Sequence, residues 1–242
     1  MKLESNLINK FNKKDFPILV NNNFRRNIDK HLKRINNNIN MNRFFVFQKQ
    51  DNYFILNNNT LKHLKVIRAT NQTFICVYNQ KFYECILEDN KAKIIKEIHI
   101  NNERNYEVIL CAALIKFERF EWLIQKATEL GVTKIIPMIT EYTNGEFYKH
   151  QKFEKKIERL KTILQNAAEQ SFRNKIPELE ALSKYEDLVK ANISQKYIAH
   201  EKISDNNAFN FNQKNIMFFI EYLKVVFQKK KFNKQLKIIV KL

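Results

Sequence analysis

A few polar side chains in this sequence stand where they could act on an anion or a polarised carbonyl. Arg173 follows Glu169, Gln170 and Ser171 at the end of an amphipathic segment. Its guanidinium is a planar fork of donors, suited to a phosphate or a carbonyl oxygen. Glu169 lies four residues earlier, so an i,i+4 ion pair on a solvated helix face competes with that role. Lys116 follows an apolar run, either as an ordinary surface lysine or as a contact to a polyanion. His200 and Glu201 close another apolar run, as a plain strand terminus or as part of a site. Arg43, His63 and Arg68 are further cations near the N-terminus. His63 has no companion His or carboxylate at ligand spacing, so no metal is expected there. Cys76, Cys85 and Cys111 form no Cys-x-x-Cys pair and each sits in an apolar run, as buried free thiols do.

The elements that must position these groups are legible in part. Phe120, Leu123, Ile124 and Ala127 repeat at i, i+3, i+4, i+7, one buried helical face. Gly131 then suits the left-handed conformation that ends a helix. The β-branched run after it predicts a strand to Ile139. Val108 to Leu114 is nearly all apolar, the mark of a parallel strand covered on both faces. Residues 153–172 predict a long amphipathic helix and 185–191 a short one. Residues 197–200 and 216–220 predict two more buried strands. Strands alternating with helices argue for a parallel α/β sheet over 103–220. Residues 41–102 instead predict five short strands. The pairs Asp51-Asn52, Asn79-Gln80 and Asp89-Asn90 supply turns, and a helical turn lies at 59–68. Strands at this spacing suggest a small β-barrel.

Charge narrows the partner. The chain of 242 residues has a formal charge of +18, which favours a polyanion. Residues 1–40 hold nine Lys/Arg against three Asp/Glu, and residues 221–242 hold seven Lys against one Glu. Most of the excess therefore sits in the two ends. Residues 1–40 are expected to be a basic extension, either a disordered arm or a segment upstream of a natural start at Met41. Residues 221–242 show no clear helical or strand period and read as an aberrant basic tail. The N-terminus has no signal core, and no run reaches the roughly 18 apolar residues of a membrane span. A soluble cytoplasmic protein is expected.

Four segments carry a resemblance to a known family: MNRFFV at Met41 to Val46, HLKVIR at His63 to Arg68, QKATELGVTKIIP at Gln125 to Pro137, and AAEQSFRNKIP at Ala167 to Pro177. Over Met41 to Ile220 the chain resembles the bacterial 16S ribosomal RNA uridine-N3 methyltransferases. These belong to the SPOUT, or α/β-knot, superfamily and carry a PUA-like barrel in front. The resemblance implies S-adenosylmethionine as cofactor, 16S ribosomal RNA or the small ribosomal subunit as partner, and a homodimer. It makes Arg173 and Lys116 the candidate catalytic residues and His200 and Glu201 the candidate cofactor contacts. Arg43, His63 and Arg68 become candidate RNA contacts. Trp122, beside the helical stripe, is expected to pack or to meet a partner subunit, and Glu129 is expected to be structural.

Two departures bear on activity. The family commonly has an arginine where this chain has Tyr142. It also binds its cofactor with a Gly-Pro-Glu-Gly-Gly-type loop after the strand equivalent to 216–220, followed by a Leu-Gly-Arg loop and the knot helix. No glycine follows Gly145 in this sequence, so neither loop is present and the knot is expected to be incomplete. The neighbouring reading frame offers an explanation. With allowed synonymous codons, Tyr222 to Ile238 can be re-read as PEGGFSKKEIQQTTKN. A one-base deletion, or a sequencing error, near codon 222 is the expectation. A chain with this tail is then expected to lack cofactor binding, leaving a non-catalytic RNA-binding protein as the alternative function.

Overall fold

The structure is a computed structural model. It describes residues 41–69, 72–141, 143, 145, 152–193, 195–200, 215–220 and 236–240. The expectations for residues 1–40, Tyr142 and Glu201 lie outside the described residues. Contacts group Arg43–Leu242 into one compact unit.

The first sheet takes its strands from β1 (Arg43–Phe45), β2 (Lys49–Gln50), β3 (Tyr53–Ile55), β4 (Phe74–Tyr78), β5 (Lys81–Glu88) and β6 (Lys91–Ile98), with helix α1 (Asn58–Val66) between β3 and β4. Its order is β1-β4-β5-β6-β3-β2. Only β1 and β4 pair in parallel. The two outer strands, β1 and β2, are joined by Val46, Phe47 and Gln48 alone, so the sheet must curl until its edges meet. The predicted turn pairs hold it in register: Asp51, Asn79, Gln80, Asp89 and Asn90 all have positive φ, a conformation Asn and Asp tolerate better than bulkier residues. Phe44, Phe54, Leu64, Phe74, Cys76 and Cys85 fill the inside. Asn57 starts α1 by accepting the Thr60 N–H at 2.8 Å.

The second sheet is parallel. Its strands are β7 (Glu107–Ala113), β8 (Lys134–Ile139), β9 (Glu178–Leu179), β10 (Ser183–Lys184), β11 (Gln195–His200), β12 (Asn215–Ile220) and β13 (Leu236–Val240). The order is β10-β8-β7-β12-β11-β13, with β9 also on β8. Helices α2 (Phe117–Glu129), α3 (Ile157–Gln170) and α4 (Tyr185–Lys190) connect them. The apolar run in β7 is divided between two faces. Val108, Leu110, Ala112 and Leu114 pack with Phe120 and Ile124 of α2 and Leu160 and Leu164 of α3. Ile109, Cys111 and Ala113 pack with Leu188 of α4 and Met217 and Phe219 of β12. Burial on both faces explains why no polar residue alternates in the run. Pro137 in β8 is tolerated because the outer neighbour is interrupted there: β9 pairs at Lys134 and Ile135, and β10 only at Met138 and Ile139.

Two stops fix the layout. Gly131, at φ +94, ends α2. Val132 N–H reaches the Ala127 carbonyl and Gly131 N–H that of Thr128, at 3.1 and 3.0 Å, the crossed pair of a Schellman cap. Phe172 ends α3 at φ +58, and Arg173 N–H reaches back to the Ala168 carbonyl at 3.0 Å. A bulky residue in this conformation is strained by about 1–2 kcal/mol, so its surroundings must hold it.

One part of the tail's expectation, the lack of any strand, needs correction. Residues 236–240 form β13, parallel to β11 from Lys196↔Leu236 to His200↔Val240. Ile238, Ile239 and Val240 are three successive β-branched residues, and strand propensity needs no alternation in a parallel sheet. Cys76, Cys85 and Cys111 are buried free thiols, and burial pushes Cys111 up to about 12. Among the described residues no helix is long and apolar enough to cross a membrane, and no cluster of His, Cys, Asp and Glu is placed to hold a metal.

Candidate active site and the junction that supports it

Ligands of open parallel sheets sit beyond the C-terminal ends of the strands. Here that edge is formed by the ends of β7, β8, β11 and β12. Lys116 lies three residues past β7, exposed, as the N-cap of α2. It offers no side-chain cap; its carbonyl instead accepts Arg119 and Phe120 N–H at 3.0 Å. After β8 the chain turns sharply. Thr140 N–H donates to Thr143 Oγ1 at 2.9 Å, and Thr143 N–H donates to the Thr140 carbonyl at 3.0 Å. His200 ends β11 on the same edge. Two expected site residues, Lys116 and His200, thus lie at the ends of strands in one sheet.

Arg173 does not join them. It is 5% exposed and its donors are taken. Nε and Nη2 bind both Glu103 oxygens at 3.0 and 2.7 Å, and Nη1 binds the Thr128 and Val132 carbonyls at 3.1 and 2.6 Å. These carbonyls lie at the C-terminal end of α2 and the start of β8, at the opposite edge of the sheet from Lys116. A guanidinium with no free edge and no solvent cannot grip substrate, which corrects the catalytic expectation. The competing i,i+4 pair with Glu169 is absent too: the partner is Glu103, 70 residues away in sequence. Burial pulls the Glu103 carboxyl upward. The Arg173 hydrogen bond and charge, with the Asn174 and Lys175 amides, outweigh burial and leave it below the usual range.

The neighbours of Arg173 continue this wiring. Asn174 donates through Nδ2 to the Gln80 and Ile100 carbonyls at 2.8 and 2.9 Å. Its Oδ1 accepts Asn102 N–H at 2.8 Å. Asn102 Nδ2 donates to the Phe172 carbonyl at 2.8 Å. These bonds hold the strained Phe172 and tie the curled sheet to the parallel one. Glu169 accepts Phe45 N–H at 3.0 Å and Gln165 Nε2 at 3.0 Å, and burial raises its carboxyl despite these bonds and the nearby His63 and Arg43.

Arg43 belongs to the same junction. Its Nε donates to the Glu169 carbonyl at 2.6 Å and its Nη2 to that of Gln170 at 3.2 Å. Its guanidinium lies 3.6 Å from the centre of the Phe172 ring. It therefore caps the C-terminus of α3 instead of facing RNA. Burial pulls it down to about 10, against Glu169, and it stays a cation at neutral pH. His63 and Arg68 are exposed at the end of α1, with His63 edge-on to Phe44 at 5.4 Å. Arg68 has φ +52. Lys62 and Lys65 stand on the same exposed helix. Trp122 is exposed on α2, so it does not pack within this chain.

Comparison with known proteins accounts for this arrangement. An RNA methyltransferase domain profile matches residues 102–222. A ribosomal RNA small subunit methyltransferase E from Mesomycoplasma hyopneumoniae is 40% identical over 184 residues, 74% of this chain and 80% of that protein. The chain belongs to the ribosomal RNA small subunit methyltransferase E family. The Bacillus subtilis member is 33% identical over 96 residues, 40% of this chain and 37% of its own length. A solved structure of the Neisseria gonorrhoeae member, bound to S-adenosyl methionine, shares the fold. Its TM-score is 0.65 at 24% identity, covering 74% of this chain and 79% of that one. Within this family member, the motifs at 125–137 and 167–177 meet physically: Arg173 of the second binds the Thr128 and Val132 carbonyls of the first. They mark the scaffold. Glu103 and Asn102 escaped notice in the sequence because they lie in a polar connector, Asn101 to Asn105, with no pattern to single them out.

Proposed function

We propose that the chain is built to transfer a methyl group from S-adenosylmethionine to N3 of a uridine in 16S ribosomal RNA. It acts on the small ribosomal subunit, in the cytoplasm, as a homodimer. The observation that carries this reading is the family domain, whose parallel sheet ends in Lys116 at its C-terminal edge. S-adenosylmethionine supplies the methyl group on its sulfonium. Uracil N3 must lose a proton, and the Lys116 ammonium favours the deprotonated ring by its charge. His200 and Glu201 border the cofactor. His63 and Arg68, with Lys62 and Lys65, meet phosphates of the RNA. The remaining cofactor contacts fall to residues 201–214 and 221–235, outside the described residues.

A second reading has one sequence fact in its favour. No glycine follows Gly145, so backbone cannot approach a cofactor as closely as a glycine loop allows. The chain would then bind RNA without turning it over. Calorimetric titration with S-adenosylmethionine, followed by mass spectrometry of nucleosides from treated small subunits, separates the two. Saturable binding with N3-methyluridine supports transfer. RNA binding without either supports the second reading. The coding DNA around codon 222 decides the cause: a neighbouring frame without Pro-Glu-Gly-Gly rules out the deletion.

A further inference from the structure

A cavity of about 270 Å³ opens between the curled sheet and the start of β9. Phe45 and Phe47 line it from the end of β1, Tyr78 and Asn79 from the end of β4, and Lys175 and Ile176 from the motif after α3. Its frame is rigid. Asn79 and Gln80 hold the turn at φ +47 and +63, and the Gln80 carbonyl is pinned by Asn174. Lys175 N–H donates to Glu103 at 3.3 Å, while its ammonium has no partner among the described residues. Phe47 is 66% exposed, so its ring is open to a ligand.

An open aromatic face next to a free ammonium is how unpaired nucleotides are held, the base on the ring and the phosphate on the cation. The volume falls just below the roughly 300 Å³ where small-molecule pockets begin, which suits a single base. Most of the chain's +18 sits in its two ends, so the attraction at the cavity itself falls to Lys175. Position excludes the reacting base. The cavity adjoins Lys175 and Ile176, two residues before Glu178 pairs with Lys134 at the start of β8. Lys116 lies past the far end of the neighbouring strand. Six residues of strand separate these edges by about 20 Å.

We propose that this cavity holds an unpaired base of the RNA substrate away from the modified uridine, with Phe47 as the stacking face and Lys175 as the phosphate contact. The inference rests on the RNA reading above. The test is binding of full-length 16S ribosomal RNA transcript to the whole chain at several salt concentrations. Phe47→Ala weakens binding about tenfold, and Phe47→Tyr, which keeps a ring, does not. Lys175→Gln lowers the slope of log affinity against log salt by about one and carries the test should Phe47→Ala fold poorly. A transcript that never binds the unaltered chain sinks the RNA reading itself. Equal binding by the unaltered chain, Phe47→Ala and Lys175→Gln overturns this inference alone. So does a loss seen only with assembled subunits and not with naked RNA, which would put protein in the cavity.

Discussion

The two edges of the parallel sheet are built from different materials. At the N-terminal edge, Arg173, Glu103, Asn174 and Asn102 form a dry, interlocked network joining both sheets. At the C-terminal edge Lys116 stands in water, and the chain beyond β8 is held by a two-threonine turn. The polar residues most suggestive of chemistry in the sequence are at the first edge. They are there because two sheets must be locked together, and buried polar groups are tolerated only when each finds a partner. The second edge keeps Lys116 exposed. Polarity in a motif therefore does not by itself mark a site, since here it marks a lock between two sheets.

The strongest way to break this contrast is Arg173→Met. Removing one partner of a buried pair strands the other, and about 3–5 kcal/mol of stability should go, read by urea unfolding. Arg173→Lys should rescue little, because one ammonium cannot serve two carboxylate oxygens and two carbonyls at once. A variant of normal stability that lost only turnover would return Arg173 to the active site.

Glu103 sharpens the same point through pH. Its carboxyl lies below the usual range in the folded chain. As pH falls, the unfolded chain takes up the proton first, so stability is fully present above about pH 4.5 and drains away as pH drops through the depressed value. Glu103→Gln should lose stability at neutral pH, by about 1–3 kcal/mol. It should also flatten the decline below about pH 4.5, measured by denaturant midpoints. A decline as steep as that of the unaltered chain would mean that another carboxylate controls it.

How much of this was legible follows from range. The α2 stripe, the Gly131 stop, the apolar β7 run and the Asn-rich turns are local patterns, and each stands where the sequence put it. The junction is not local. Arg173 finds its acid 70 residues away, and Arg43 finds the α3 carbonyls 126 residues away. Nothing in Glu103's surroundings forecasts either contact. Strand β13 was missed because its neighbour β11 provides the pairing that a lone Leu-Lys-Ile-Ile-Val cannot announce. Lys116 was legible as a strand-end cation because it follows directly on a buried run.

Gly131→Ala tests a smaller element of the same edge. A Cβ there would meet Arg104 Nε no closer than 3.7 Å, so space is not the obstacle. The cost comes from φ +94, which an L side chain adopts with strain. About 1–2 kcal/mol should be lost, seen as a lowered urea midpoint with an unchanged slope. A shallower slope would show that the Schellman cap keeps the native state compact rather than merely stable.

The smallest expected change in stability belongs to Lys116, and it is the most informative. Lys116→Ala removes an exposed side chain with no cap to lose, so unfolding should shift by no more than about 0.5 kcal/mol. Methyl transfer, in whichever form of the chain supports it, should fall about tenfold or more, because a cation favouring the deprotonated base acts in the chemical step. If uridine N3 is the acceptor, as proposed, the loss should shrink as pH rises, since solvent hydroxide then removes its proton without help. Affinity for RNA should change little, because only one positive charge among many is removed. Arg173→Met and Lys116→Ala would then fail in opposite ways, one unfolding readily and the other folding well but turning over slowly. If Lys116→Ala instead transfers at the normal rate at every pH, the C-terminal edge keeps its geometry but loses its catalyst, and the proton must leave to a residue in 201–214 or 221–235.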